Sequence, residues 1–281
     1  MFEKFSLSWT LLKASGTVLI QDQKLLLFPV LSSLATLFVS ACFILPMLGL
    51  RAFDGAIGGG TSPVAYFFVF LLYLSQYFVM FFFNAALMGA AMIRMDGGSP
   101  TVKAGLNIAI AKIGPIFGYA IIAATVGLIL RAIQERVGFI GKIIVGMLGV
   151  GWTLATYMVV PVLVAQNVGP IDAVKQSAEI LKKTWGENVI GQAGIGMAFG
   201  IIQLAVLIIG IVLILGAAMT QNMALVVAVV VLVFAAMVTT VLVHGALSQI
   251  YAAALYRFAT TGQGCAGFDT NALQVAFATK K

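Results

Sequence analysis

Inside the long apolar runs of this chain, side chains able to do chemistry gather in two places. His244 is the only histidine, and Thr240 and Ser248 stand four residues to either side of it, on one helix face. Its imidazole is the one group able to act as a base near neutral pH. The trio suits either a proton-sensitive or ligand-binding group or a neutral histidine hydrogen-bonded between helices. The second place is a stripe: Tyr66, Phe70, Tyr73, Tyr77, Met80, Asn84 and Met88 share one narrow face, with Phe67, Phe68, Phe78 and Phe82 roughly opposite, suited to lipid. Turned inward, Tyr73, Tyr77 and Asn84 could line a cavity for an amphipathic ligand. The same residues also suit core packing, each hydroxyl bonded to a neighbour.

No other chemistry is legible. A single histidine excludes multi-histidine metal sites, and no HExxH, CxxC, GxSxG or Walker motif is present. Gly262–Gly267 matches GxGxxG, but it follows a long apolar helix rather than a strand, so it is no dinucleotide fingerprint. Every Asp and Glu falls near the end of an apolar run or in a loop, unlike the buried acids of ion-coupled pumps. The expectation is no catalytic residue, no metal and no cofactor.

The elements that must carry these residues are membrane spans. Apolar residues make up 62% of the 281 and charged residues only 9%, where a soluble domain has roughly a quarter charged. Six runs reach the roughly 20 residues that cross a bilayer: Leu25–Leu50, Pro63–Met92, Pro115–Leu130, Ile143–Ala165, Val189–Ala218 and Met223–Tyr251. About two dozen mixed residues precede the first run, which therefore reads as a retained helix and not a cleaved signal. The second and sixth runs extend toward Arg94 and Arg257, so tilt or protrusion is expected.

The charge of +7 follows the positive-inside rule and not a nucleic-acid surface. With the N-terminus in the cytoplasm, twelve basic residues fall inside, and only Arg51, Arg131, Arg136 and Lys142 fall outside. Both termini are then cytoplasmic. Cys42 lies in the first span and Cys265 in the tail, so no disulfide is expected between them. The outer connections are short, a glycine-rich turn over Asp54–Pro63 and a few residues around Thr220–Asn222.

An internal repeat accompanies the spans. Val102, Leu106, Ala109 and Ile113 form one stripe, and Val174, Ala178, Leu181 and Trp185 form another, both stepping by 4, 3 and 4. The first is predicted to open with Ser99 as N-cap and Pro100 as first helical residue, the second near Gly169, Pro170 and Asp172. Gly114 and Gly186 follow as predicted C-caps. Leu7, Leu11, Ala14 and Val18 repeat the spacing more faintly. Such helices suit the cytoplasmic interface, with Lys103, Lys112, Lys175, Lys182 and Lys183 toward lipid headgroups; they equally suit connectors packed on span ends. Gly114/Gly118, Gly196/Gly200 and Gly194/Ala198 have the small-xxx-small spacing of close helix contact. Asp269 would cap a short tail helix, stapled by Phe268 and Leu273.

The opening, Phe5 to Trp9 through Leu25 to Pro29, resembles an uncharacterised family of bacterial integral-membrane proteins. More distantly, the helix-plus-hairpin unit is similar to the membrane domain of some glycerophosphodiester phosphodiesterases and to Yip-type proteins, which implies a multi-span helical fold and no catalytic residue. The predicted fold is all-α, a polytopic bundle of six transmembrane helices with cytoplasmic interfacial amphipathic helices in a threefold repeat. One membrane domain covers 1–259, in units of about 1–93, 94–168 and 169–259, with a tail over 260–281. The expected function is a non-catalytic inner-membrane scaffold or accessory subunit acting on lipids or partner proteins, the latter either another copy or another membrane protein. The alternative is a channel or transporter for an amphipathic ligand, for which Asn84 and His244 would lie at comparable depth.

Overall fold

The computed structural model describes residue 13 and residues 15–49 and 63–261, with backbone alone at 46–49, 63–66 and 183–193. The protein is all-α. After a helical segment over 15–21 and a 3-10 turn, Gln23–Leu26, come α1 (Leu27–Gly49), α2 (Pro63–Met95), α3 (Val102–Ala111) and α4 (Ile113–Arg136). They are followed by α5 (Phe139–Ala155), α6 (Val159–Ala165), α7 (Pro170–Met219) and α8 (Met223–Thr261). Among the described residues, six helical stretches are long and apolar enough to cross a membrane. Phe38, Ile144, Ile201 and Leu232 stand more than half exposed, as helices solvated by lipid require. At about 1.5 Å per residue, the 33 residues of α2 and 39 of α8 outrun a bilayer core.

Two compact units divide the chain. One covers Leu27–Lys183, and the other joins Met1–Leu26 to Thr184–Lys281. In the first, α2 packs against α1, α3, α4 and α6. Gln76 of α2 donates its amide to Ser40 Oγ at 2.6 Å and Thr36 O at 3.4 Å, joining α1 and α2. Helix α2 ends in a Schellman motif: Gly98 N–H donates to Ile93 O and Gly97 N–H to Arg94 O, both at 3.0 Å. Gly97 sits there at φ 83°, in left-handed backbone that side chains disfavour. Helix α3 then lies close against α2, because Gly105 has no Cβ; one would stand 2.5 Å from Ala86 O.

The second unit contains the α7–α8 hairpin. Its turn is closed by Thr220 Oγ1 donating to Ala217 O at 2.7 Å, with Gln221 at φ 51°. Asn222 Oδ1 accepts from Leu225 N–H at 3.2 Å and caps α8. Outward from the turn, Gly210 meets Val233, Gln203 Nε2 reaches Met237 Sδ at 3.1 Å, and Phe199 stacks on His244. From the first pair to the last each helix advances eleven residues, as an antiparallel register demands.

Several local expectations require correction. Ser99 and Pro100 lie outside α3, and Thr101 is its N-cap, accepting from Ala104 N–H at 3.1 Å. The later hydroxyl wins because it sits three residues before a free helix N–H. Gly114 and Gly186 lie within α4 and α7, so neither is a C-cap. Helix α3 instead passes into α4 through a single kinked residue, Lys112. The fourth span is not continuous but breaks between α5 and α6. Outside the described residues lie Phe5, Leu7, Trp9, Leu11 and Ala14, residues 50–62 with Arg51 and Asp54, and residues 262–281, with Gly262–Gly267, Cys265, Phe268, Asp269 and Leu273. The same holds for the side chains of Tyr66, Lys183 and Trp185. Cys42 is a free, exposed thiol in α1.

Candidate functional site

An aromatic column runs along one face of the four-span unit. Tyr73 stacks on Tyr77 at 6.4 Å, Tyr77 on Phe81 at 5.7 Å, and Phe81 meets Tyr119 of α4 at 4.4 Å. Polar contacts close both ends. Arg131 Nη1 donates to the Tyr73 hydroxyl at 2.8 Å while its Nε donates to Glu135 at 2.9 Å. At the far end Tyr119 shares a hydrogen bond with Thr156. The Thr156 hydroxyl gives its proton to Trp152 O at 2.8 Å, which leaves its lone pairs to accept from the phenol.

The column ends at the broken span. Pro161 has no N–H and its ring crowds the carbonyl four residues back, so it is tolerated only in a helix's first turn. The chain complies by restarting helix at Val159, two residues before it. Ladder bonds are lost in the process: Val159 N–H turns to Thr156 O at 3.1 Å, leaving Ala155 O and Met158 N–H without helix partners. Ser177 of α7 supplies both, its hydroxyl donating to Ala155 O at 2.6 Å and accepting from Met158 N–H at 3.0 Å. Ser177 is fully buried. Beyond α6, Lys112 Nζ donates to Gln166 O at 2.9 Å and Asn167 Oδ1 at 3.3 Å, holding the loop that leads into α7.

Beside the column lies an open groove of about 450 Å³ between α2, α4 and α5, lined by Tyr77, Gly127, Gly146, Gly149, Trp152 and Thr153 among others. Its size falls within the roughly 300–1,000 Å³ of small-molecule sites. Glycine makes the space. A Cβ on Gly127 would stand 3.3 Å from the Tyr77 hydroxyl, and around Gly146 nothing lies within 4 Å. Met147 and Val150 lie beside it on α5 and are more than half exposed, so the lip faces outward. Among the described residues no three His, Cys, Asp or Glu gather. The groove's recognition chemistry is therefore apolar, aromatic and hydroxyl.

Of the residues singled out by sequence, Tyr77 lines this groove and Tyr73 is one step up the column. Asn84 lies on the same helix, half-buried, with no hydrogen bond among the described residues. Thr240, His244 and Ser248 belong to the other unit. Thr240 turns its hydroxyl to Ala236 O of its own helix at 2.8 Å, and His244 stacks on Phe199 with ring centroids 4.9 Å apart. Lys103, Lys175 and Lys182 are exposed, Lys175 lying 3.8 Å from Asp172. In the same stretch of α7, Ala173, Ser177 and Leu181 form the buried ridge. Phe78, expected to face lipid, packs edge-on against Phe117. Gly118 makes a close contact, with Pro170, whereas Gly114, Gly196 and Gly200 have nothing within 4 Å of a Cβ position. Sequence reasoning missed Phe81, Tyr119, Gly146 and Ser177; Pro161 was the one visible signal of the break.

Six apolar helices and a groove at their depth define a polytopic helical membrane protein. The chain belongs to the family of unknown function DUF6159, whose pattern matches residues 64–268. No curated protein and no solved structure matches it. An uncharacterised family is thus borne out, while nothing supports the likeness to phosphodiesterase membrane domains or Yip-type proteins.

Proposed function

We propose that this chain is a non-catalytic integral protein of the bacterial inner membrane, a scaffold or accessory subunit that binds lipid-like molecules. The observation that carries the reading is the groove: glycine-lined, flanked by Tyr77 and Trp152, and opening beside lipid-exposed helix surface. Such a site matches an amphipathic ligand with a long apolar part. The orientation follows the basic residues, with both termini cytoplasmic. Reporter fusions at Gly59 and Thr220 are expected outside and fusions after Gly98 and Gly169 inside; a cytoplasmic signal at Gly59 overturns the orientation.

The groove is tested by Gly146→Leu. Nothing lies within 4 Å of a Cβ there, so the side chain enters the groove without displacing the fold. Native mass spectrometry of the full chain should show co-purified lipid, with occupancy several-fold lower in the variant at unchanged helicity. Equal lipid retention in both proteins overturns the reading. The broken fourth span favours a second reading, a transporter of the same ligand, because discontinuous helices mark substrate sites in many transporters. Accelerated movement of a labelled lipid between leaflets of proteoliposomes separates it from the scaffold.

A further inference from the structure

The groove has a direction. On α5, Lys142, Gly146, Gly149 and Thr153 step by 4, 3 and 4 along one face. On α4, Ala123, Gly127, Leu130 and Gln134 do the same. The inner members of both stripes line the groove, and the stripes meet at the α4–α5 turn with Gln134 and Lys142 as their last members. From Lys142 to Thr153 is about 17 Å at 1.5 Å per residue, close to half of a roughly 30 Å hydrocarbon core. The stripe is therefore about as long as one leaflet is deep, and the groove occupies its inner part, Gly146 to Thr153.

The turn at the end of the stripe is cationic. Arg131, Arg136 and Lys142 all belong to this turn region, with Glu135 as the acid among them. Glu135 pairs with Arg131. Arg136 and Lys142 are exposed and have no ion-pair partner among the described residues. Arg131 also bonds to Tyr73, which stacks on the groove residue Tyr77. In the proposed orientation these three are most of the basic residues that depart from the positive-inside rule, all at or next to the α4–α5 turn, with Lys142 one helical turn from the groove residue Gly146.

We infer that the groove seats one acyl chain of an anionic glycerophospholipid from the leaflet at the α4–α5 turn, with the headgroup phosphate held by Lys142 and Arg136. The inference rests on the lipid-binding reading above and adds the headgroup to it. Charge at a membrane surface attracts anionic lipid through each lysine or arginine, and the glycine stripe continues from Lys142 into the bilayer.

The full chain is reconstituted in nanodiscs of equal phosphatidylglycerol and phosphatidylethanolamine, then released into detergent, and its retained lipids are weighed by native mass spectrometry. The wild type should hold phosphatidylglycerol in preference by about fivefold or more. Lys142→Glu with Arg136→Glu should abolish the preference while total lipid retained stays the same; Gly146→Leu should lose retention of both lipids. Both charge positions are exposed, and thermal melting verifies that the fold survives. Retention that depends on Gly146 but shows no preference, or a preference untouched by the double charge reversal, overturns the inference and leaves the lipid-binding reading intact. Loss of all specific retention in the wild type overturns both.

Discussion

Ser177 of α7 sits at the break in the fourth span, fully buried. One hydroxyl supplies the missing partner on each side of the helix break, to Ala155 O and Met158 N–H. Away from water an unmet backbone group costs about 1–3 kcal/mol, so Ser177→Ala is expected to lower stability by roughly 2 kcal/mol or more. Urea or thermal unfolding in detergent measures it; a change below about 0.5 kcal/mol would show that the break is held by other contacts. Little of this was legible in the residue's neighbourhood. Lys175, Glu179 and Lys182 advertise a polar helix face, and a serine beside them reads as part of it. Only the partner helix reveals that Ser177 is on the buried ridge. The aromatic column was half legible for the same reason. Tyr73 and Tyr77 stand out as phenols in an apolar run, whereas Phe81 is lost among neighbouring phenylalanines and Tyr119 lies on another helix.

At the scale of elements, run length and apolarity locate all six spans, because crossing a hydrocarbon core imposes length directly. Continuity does not follow from those quantities. The fourth span keeps its apolar composition through the break, and only Pro161 marks it. The helices α4 and α7 show the converse: Gly114 and Gly186 look like stops but are carried through, since neighbouring turns continue the ladder. In the α7–α8 hairpin a three-residue turn constrains the register. A Cβ on Gly210 would stand 3.5 Å from Val233 Cβ, inside the range of disulfides, roughly 3.5–4.5 Å. Gly210→Cys with Val233→Cys is therefore expected to crosslink within the monomer on mild oxidation, read as a gel shift reversed by reductant. The same test with Val233 replaced by Leu232→Cys, one residue around the helix, should give much less product; equal products would show that the register slips.

At the scale of the whole molecule, the chain is an apolar helical bundle whose four-span unit holds an open groove of about 450 Å³. The two-span unit contributes a tightly registered hairpin in which His244 is packed against Phe199. Trp152 in the groove's lining is a native reporter of an acyl chain seated there. The chain has 3 tryptophans, so Trp9→Phe with Trp185→Phe leaves Trp152 as the one fluorophore. In bilayers of lipids brominated along the acyl chain, Trp152 emission should be strongly quenched, and adding Gly146→Leu should restore a large part of it. Quenching that is unchanged by Gly146→Leu would overturn the seating of an acyl chain in the groove, because the bromines would then reach Trp152 without entering it.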